Sequence, residues 1–189
     1  MIKNKAFVIS LLFAVFILAS CEQEPEIIKT ESASFGEYSL VYVTSNPIGW
    51  ESGTLTNIVD SDANTVYGIT GKTSDKTVGA DCSWTVTFPE RFITTVTFDF
   101  LIESIGYKSL PNHMEFHFYY LGVDNVWNEL SSSYYPYHSG GTWTGSPTVK
   151  VEKTIRAVKL STSTTANMNR QHPSDVSIRN FCREITITP

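Results

Sequence analysis

Trp84-Thr85-Val86-Thr87-Phe88-Pro89-Glu90-Arg91-Phe92-Ile93-Thr94-Thr95-Val96 is the stretch that decides the fold of this 189-residue chain. Its first five residues alternate strictly. Trp84, Val86 and Phe88 fall on one face and Thr85 and Thr87 on the other, the period of a half-buried strand. Pro89 and Glu90 interrupt the run. A second β-branched and aromatic run then continues to residue 102, too rich in Thr, Val and Phe for a helix.

The same texture extends in both directions. Residues 38–44, YSLVYVT, are β-branched and aromatic, and 114–120, MEFHFYY, place Met114, Phe116, Phe118 and Tyr120 on one side. Residues 156–160, RAVKL, and 184–188, EITIT, complete the set. Turn clusters separate the runs at 45–47, 71–75, 122–125, 139–141 and 172–175. No segment offers twelve residues of helical period; 54–59 is long enough for a single helical turn. No repeat occurs at a fixed period. The chain reads as all-β, a sandwich or jelly roll with long loops.

The first residues differ in kind. Lys3 and Lys5 precede an apolar run over 6–17, and Leu18-Ala19-Ser20-Cys21 follows. A basic start, a short apolar core and small residues before a cut site make a secretory signal. With Cys21 next, the segment resembles a bacterial lipoprotein signal. That resemblance implies removal of 1–20, acylation of the Cys21 thiol and an outer-membrane lipoprotein exposed at the cell surface. The apolar run, about 15 residues, is marginal for spanning a bilayer; the other reading is an uncleaved anchor helix. Residues 21–34 are polar and acidic and read as a flexible tether. Glu22, Glu24 and Glu26 resemble surface-export signals of lipoproteins in glycan-foraging bacteria, or simply solvate a linker. The globular domain is then 35–189. Losing Lys3 and Lys5 reduces 14 basic residues to 12 against 19 acidic ones, so the net charge moves from −5 to −7. That balance gives no footprint for nucleic acid. Cys82 and Cys182 remain as an even pair in an oxidising compartment and predict a disulfide closing a loop of about 100 residues, worth about 4–5 kcal/mol; two buried thiols are the alternative.

Four pieces, in order, resemble the discoidin family, which includes the coagulation factor type C domains and the family 32 carbohydrate-binding modules. Residues 57–67, NIVDSDANTVY, are similar to its entry motif, with Ser61 in place of Gly and Val66-Tyr67 in place of an aromatic-Trp pair. Residues 84–96 resemble its two-strand signature, Arg156-Ala157-Val158-Lys159-Leu160 its Arg-Tyr-Val-Arg-Leu strand, and Arg183-Glu184-Ile185 its closing strand. The resemblance implies a discoidin-like jelly-roll β-sandwich that binds carbohydrate without catalysis. It also implies a structural Ca²⁺ in the Asp60 turn, closed by a carboxylate of the final strand, which by position is Glu184.

Asp60, Asp62, Asn64 and Thr65 are closely spaced oxygen donors, and Ca²⁺ takes six to eight oxygens; an Asx-type turn capped by its own side chains is the competing reading. His113, Glu115 and His117 share one strand face at i, i+2 and i+4, as a solvated face, a ligand surface or, less suitably spaced, a Zn²⁺ site. Tyr134, Tyr135, Tyr137, His138 and Trp143 form the densest aromatic stretch and read as a loop. Its rings either stack on pyranose faces or fold back to cap the sandwich. Trp50, before the Asp60 turn, and Arg170, His172 and Arg179, read as the loop before the last strand, complete the candidate ligand set. No nucleophile or phosphate-loop motif is present, and no carboxylate pair is shown to flank a bond. The expected partner is a glycan; the alternative is an envelope protein bound through the same loops.

Overall fold

The computed structural model describes residues 28–45, 50–62, 64–73, 78–105, 112–138, 141–166 and 176–189. Among these described residues ten strands occur, β1 (Ile28–Phe35), β2 (Tyr38–Ser45), β3 (Trp50–Ser52), β4 (Tyr67–Thr73), β5 (Val78–Ile105), β6 (Asn112–Gly122), β7 (Trp127–His138), β8 (Gly141–Gly145), β9 (Thr148–Ala166) and β10 (Val176–Thr188). One 3₁₀ turn, Leu55–Val59, falls within the short helical stretch expected at 54–59. Every described pairing is antiparallel. The all-β sandwich expected from the alternation is what the chain forms.

The two layers come from one hydrogen-bonded sheet that folds on itself through β5. Residues 78–87 pair with β2 and with β9, whereas 95–105 pair with β10 and 100–104 with β8. The ladder with β9 is irregular between Thr87 and Arg91 and between Ile93 and Thr95, around Pro89, whose missing N–H cannot continue a central ladder. Past this bend the chain returns: Ser104 Oγ donates to the carbonyl of Thr165, and Thr165 is in register with Gly79. The first layer is therefore β1, β2, early β5, β9, β6 and β7. The second is β3, β4, β10, late β5 and β8.

Between the layers, the strictly alternating residues meet. Trp84, Val86, Phe98 and Phe100 are fully buried, and Met114, Phe116, Phe118 and Tyr120 are buried as their spacing predicts. Phe98 stacks on Phe118 at 4.6 Å and Phe100 meets Phe116 at 5.2 Å, one ring from each layer. Trp84 donates its indole N–H to the Tyr67 carbonyl at 3.1 Å, so the first layer is bonded to the second through the core.

Two expectations are corrected. Residues 28–34 are not tether: Ile28–Phe35 is strand β1, paired along its length with β2. Its inward positions are Lys29, Glu31 and Ala33, half-buried, while Ile28 faces out. Lys29 bonds Glu51 at 2.6 Å and Glu31 accepts from the Tyr67 hydroxyl. The strand is thus pinned by charged inward groups, which leaves no apolar period to read. Cys82 and Cys182 are free, buried thiols rather than a disulfide. Cys82 Sγ lies 3.4 Å from the Tyr42 hydroxyl and the Thr44 hydroxyl and 3.6 Å from Asn180 Nδ2. Cys182, about 7 Å further along β10 than Asn180, donates instead to the Asp99 carbonyl at 3.8 Å. Burial raises both thiol pKa values and keeps the groups neutral.

Candidate functional site

Strand register gathers most of the expected ligand residues toward one end. Ser45 opposes Asp81, Val78 opposes Ala166, Thr73 opposes Val176, Ile105 opposes Ser177 and Asn112 opposes His138. The strand ends flanking 46–49, 74–77, 106–111, 139–140 and 167–175 therefore share that end. The stretch 134–143, expected as a loop, contains the ends of two strands. Tyr134 and Tyr135 oppose Glu115 and Met114 on β7, Tyr137 and His138 end that strand, and Trp143 opposes Ile102 on β8. Tyr and Trp suit a pleated surface, so the aromatic density that suggested a loop also favours strands. Arg170 and His172 lie outside the described residues, as do the side chains of Trp50, Tyr134, Tyr135, Tyr137, His138 and Trp143, whose backbones alone are described.

Arg179 was expected in a loop. It stands on β10 instead, exposed, in a row that crosses the outer face of the second layer. Trp50 opposes Thr70, Thr70 opposes Arg179, Arg179 opposes Glu103, and Glu103 opposes Thr142. Five adjacent strands thus contribute one residue each to a line. Glu103, which the sequence did not single out, stands between Arg179 and Thr142 in it. Only 8 % of its side chain is exposed. It accepts from the Thr142 hydroxyl and the Ser177 hydroxyl, each at 3.2 Å, and from Arg179 Nη1 at 3.5 Å. Glu103 orients the guanidinium, and the half-exposed fork retains N–H donors for a ligand. Trp50 is two strands away, about 10 Å.

The expected cation turn is also assembled. After the 3₁₀ turn buries Ile58, the chain reverses at Ser61, whose φ of 65° is the left-handed conformation that suits the glycine of the resembled motif. Asp60 Oδ1 accepts from the Asp62 N–H at 2.9 Å and the Asp60 carboxylate also accepts from the Thr65 hydroxyl. Asp62 Oδ1 accepts from the Asn64 backbone and side-chain N–H groups, both at 2.9 Å, which hold its pKa down. These are Asx-type turns. Glu184 reaches across from β10 and accepts from the Ser61 N–H at 3.1 Å. Partial burial, with Asp60, Asp99 and Asp62 nearby, pushes the Glu184 carboxyl up to about 7, against the opposing Ser61 bond. Asp60, Asp62, Thr65 and Glu184 are therefore neighbours. Among the described residues, no group of three or more acidic, His or Cys side chains is placed to hold a metal ion; a cation at this turn would need carbonyl and hydroxyl oxygens as well.

The His-Glu-His strand face resolves differently. The His117 ring lies between two carboxylates, with Nε2 2.5 Å from Glu115 and Nδ1 2.8 Å from Glu129. Each nitrogen has its own partner, so these groups do not surround a common point; the His113 side chain lies outside the described residues.

No family model matches the chain, and no curated protein matches it. Solved structures do. A family 32 carbohydrate-binding module of a family 31 glycoside hydrolase from Clostridium perfringens is 12% identical, over 87% of this chain and 96% of that one, with a TM-score of 0.39. The family 32 module of EndoD from Streptococcus pneumoniae is 8% identical, over 84% and 94%, with a TM-score of 0.39. The module TmCBM61, solved with β-1,4-galactotriose, is 11% identical, over 87% and 89%, with a TM-score of 0.40. Each of these three solved structures is a carbohydrate-binding module.

Proposed function

We propose that this protein is an outer-membrane lipoprotein, anchored through Cys21 at the cell surface, whose β-sandwich binds a glycan without cutting it. The observation that carries the reading is the row Trp50–Thr70–Arg179–Glu103–Thr142. A buried carboxylate fixes an exposed guanidinium, about 10 Å from an indole-bearing position. That separation suits one pyranose, its apolar face toward an aromatic ring and its hydroxyls toward Arg179. The strand positions of Tyr134, Tyr135, Tyr137, His138 and Trp143 flank this end, and the sequence alone adds Arg170 and His172 to the proposed ligand set. Single-site affinity is expected to be weak, because sugar hydroxyls exchange bonds to water for bonds to protein; tethering raises effective concentration. The test is a glycan array followed by titration of the sugar retained. Arg179→Ala should weaken binding at least tenfold, and silence on the array would overturn the proposal.

We further propose that Asp60, Asp62, Asn64, Thr65 and Glu184 hold a structural Ca²⁺. The ion would supply the positive charge that this turn lacks, fixing the chain before β4 to β10. At a hundredfold excess over Kd, binding adds about 2.7 kcal/mol, or roughly 5–10 °C in a domain of this size. Chelation should lower the melting temperature and Ca²⁺ restore it, with Glu184→Gln losing that gain. An unchanged melting curve would remove the ion.

One observation favours a protein partner instead. Ile28 opposes Ser45, so β1 starts at the same end as the aromatic strand ends. Only residues 22–27 separate it from Cys21, a reach of about 20 Å. A lipid-anchored chain would hold that end near the bilayer, where an envelope protein is the nearest surface. Array silence together with a stoichiometric partner captured from envelope extract would support that reading.

A further inference from the structure

The outer face of the first layer carries a feature that the loop-end row does not use. Tyr119 on β6, Trp127 on β7 and Lys159 on β9 converge there. Lys159 Nζ lies 4.6 Å from the Tyr119 ring and 4.6 Å from the Trp127 ring. Trp127 is 38% exposed, with exposed Val126 beside it. Burial alone lowers the Lys159 pKa, and no neighbouring carboxylate raises it. Of the carboxylates on this face, Glu115 and Glu129, the ones beside Tyr119 and Trp127, are both bonded to His117, and Asp81 lies further along, opposite Ser163. The face therefore presents a partly desolvated cation on an aromatic platform, with its nearby acids already engaged.

We propose that this face is a second binding surface, for a strand of acidic glycan whose uronate carboxylate meets Lys159 while its ring stacks on Trp127. Two observations converge on that occupant. A half-buried ammonium held only by ring faces keeps N–H donors for an anion, and such charge-assisted bonds are the strong ones. An exposed indole beside it suits the C–H face of a pyranose. The surface also lies away from the start of β1. Trp127 opposes Leu121, Leu121 opposes Ala157 and Ala157 opposes Thr87, at the end of early β5 remote from Val78. A chain anchored before Ile28 would turn it outward.

The experiment is titration of the full chain in detergent micelles with polygalacturonate and with its methyl ester. The acid form should bind at least tenfold more tightly than the ester and weaken as salt rises. Trp127→Ala and Lys159→Met should each reduce acid-form binding at least tenfold; the methionine keeps the stem against both rings, so the fold survives. Lys150→Met, which removes an exposed ammonium from the same strand, should leave this binding unchanged, which separates a local site from an effect of net charge. Equal binding of acid and ester, no binding of either, indifference to Trp127→Ala and Lys159→Met, or an equal loss in Lys150→Met would overturn it.

Discussion

Trp84→Ala is expected to lower stability by about 4 kcal/mol and the melting temperature by roughly 10 °C, read by thermal or urea unfolding of the purified domain. Two costs combine. The indole is fully buried and its ring packs at 5.4 Å against Tyr42, whose own ring meets Tyr67 edge-on at 5.0 Å. Truncation opens a large cavity at the centre of this cluster. The second cost is the lost bond to the Tyr67 carbonyl, which leaves a buried acceptor without its partner, worth about 1–3 kcal/mol. Trp84→Phe separates them: it refills most of the volume and forfeits the bond, so it should recover more than half of the loss. If Trp84→Ala and Trp84→Phe melted alike, the packing account would be wrong. Against a total stability of 5–15 kcal/mol for an ordinary domain, the alanine variant should also be visibly more sensitive to proteolysis.

The residues that made the fold legible are those whose period was uninterrupted. Trp84, Val86 and Phe88 reached the core together, as did Met114, Phe116, Phe118 and Tyr120, because alternation is a local property and each strand had one apolar face. Strand β1 was illegible for the converse reason. Its inward positions are Lys29 and Glu31, and what holds them, Glu51 and Tyr67, is fixed by tertiary pairing. The cysteines show a second limit. An even count reports the compartment, whereas a bond needs two side chains aimed at each other, and β10 aims Asn180 rather than Cys182 at Cys82. At the candidate site, Trp50 and Arg179 stood out by residue type. Glu103 did not, since a carboxylate in a run of Phe, Leu and Ile becomes informative only once β8 and β10 bring Thr142, Ser177 and Arg179 around it. The Asp60 turn was readable because its donors are close in sequence, but the partner Glu184 comes from 124 positions later and was placed only by resemblance.

Strand β10 links these features. Arg179 faces outward on the proposed glycan row, Asn180 faces the core, where it accepts the Thr164 hydroxyl at 2.6 Å, and Glu184 meets the Asp60 turn. A β10 held at a fixed distance from β4 therefore sets both the guanidinium position and the cation turn. At one residue of β4 the backbone of β10 leaves no room for a side chain.

Gly68 is that residue, and Gly68→Ala is expected to cost about 3 kcal/mol while reducing the Ca²⁺-dependent gain in melting temperature. A Cβ at this position would lie 1.9 Å from the Asn180 carbonyl oxygen and 2.9 Å from Phe181 Cα. Both are backbone atoms of the paired strand, so neither can rotate away; β4 and β10 must separate. Overpacking that moves side chains costs about 1–3 kcal/mol, and a strand displacement belongs at the upper end. Separation would also disturb the register of Tyr67 with Cys182 and of Thr70 with Arg179, loosening the Trp84 bond from one side and the proposed glycan row from the other. Gly79→Ala is the matched control: its Cβ would meet only Thr165 Oγ1 at 3.5 Å and the Thr164 carbonyl at 3.7 Å, ordinary contacts. It should change stability by less than about 0.5 kcal/mol. If the two alanine variants unfolded at the same temperature, the loss at Gly68 would reflect a generic glycine effect in a strand, and the close approach of β4 to β10 would not be what holds Arg179 and Glu184 in place.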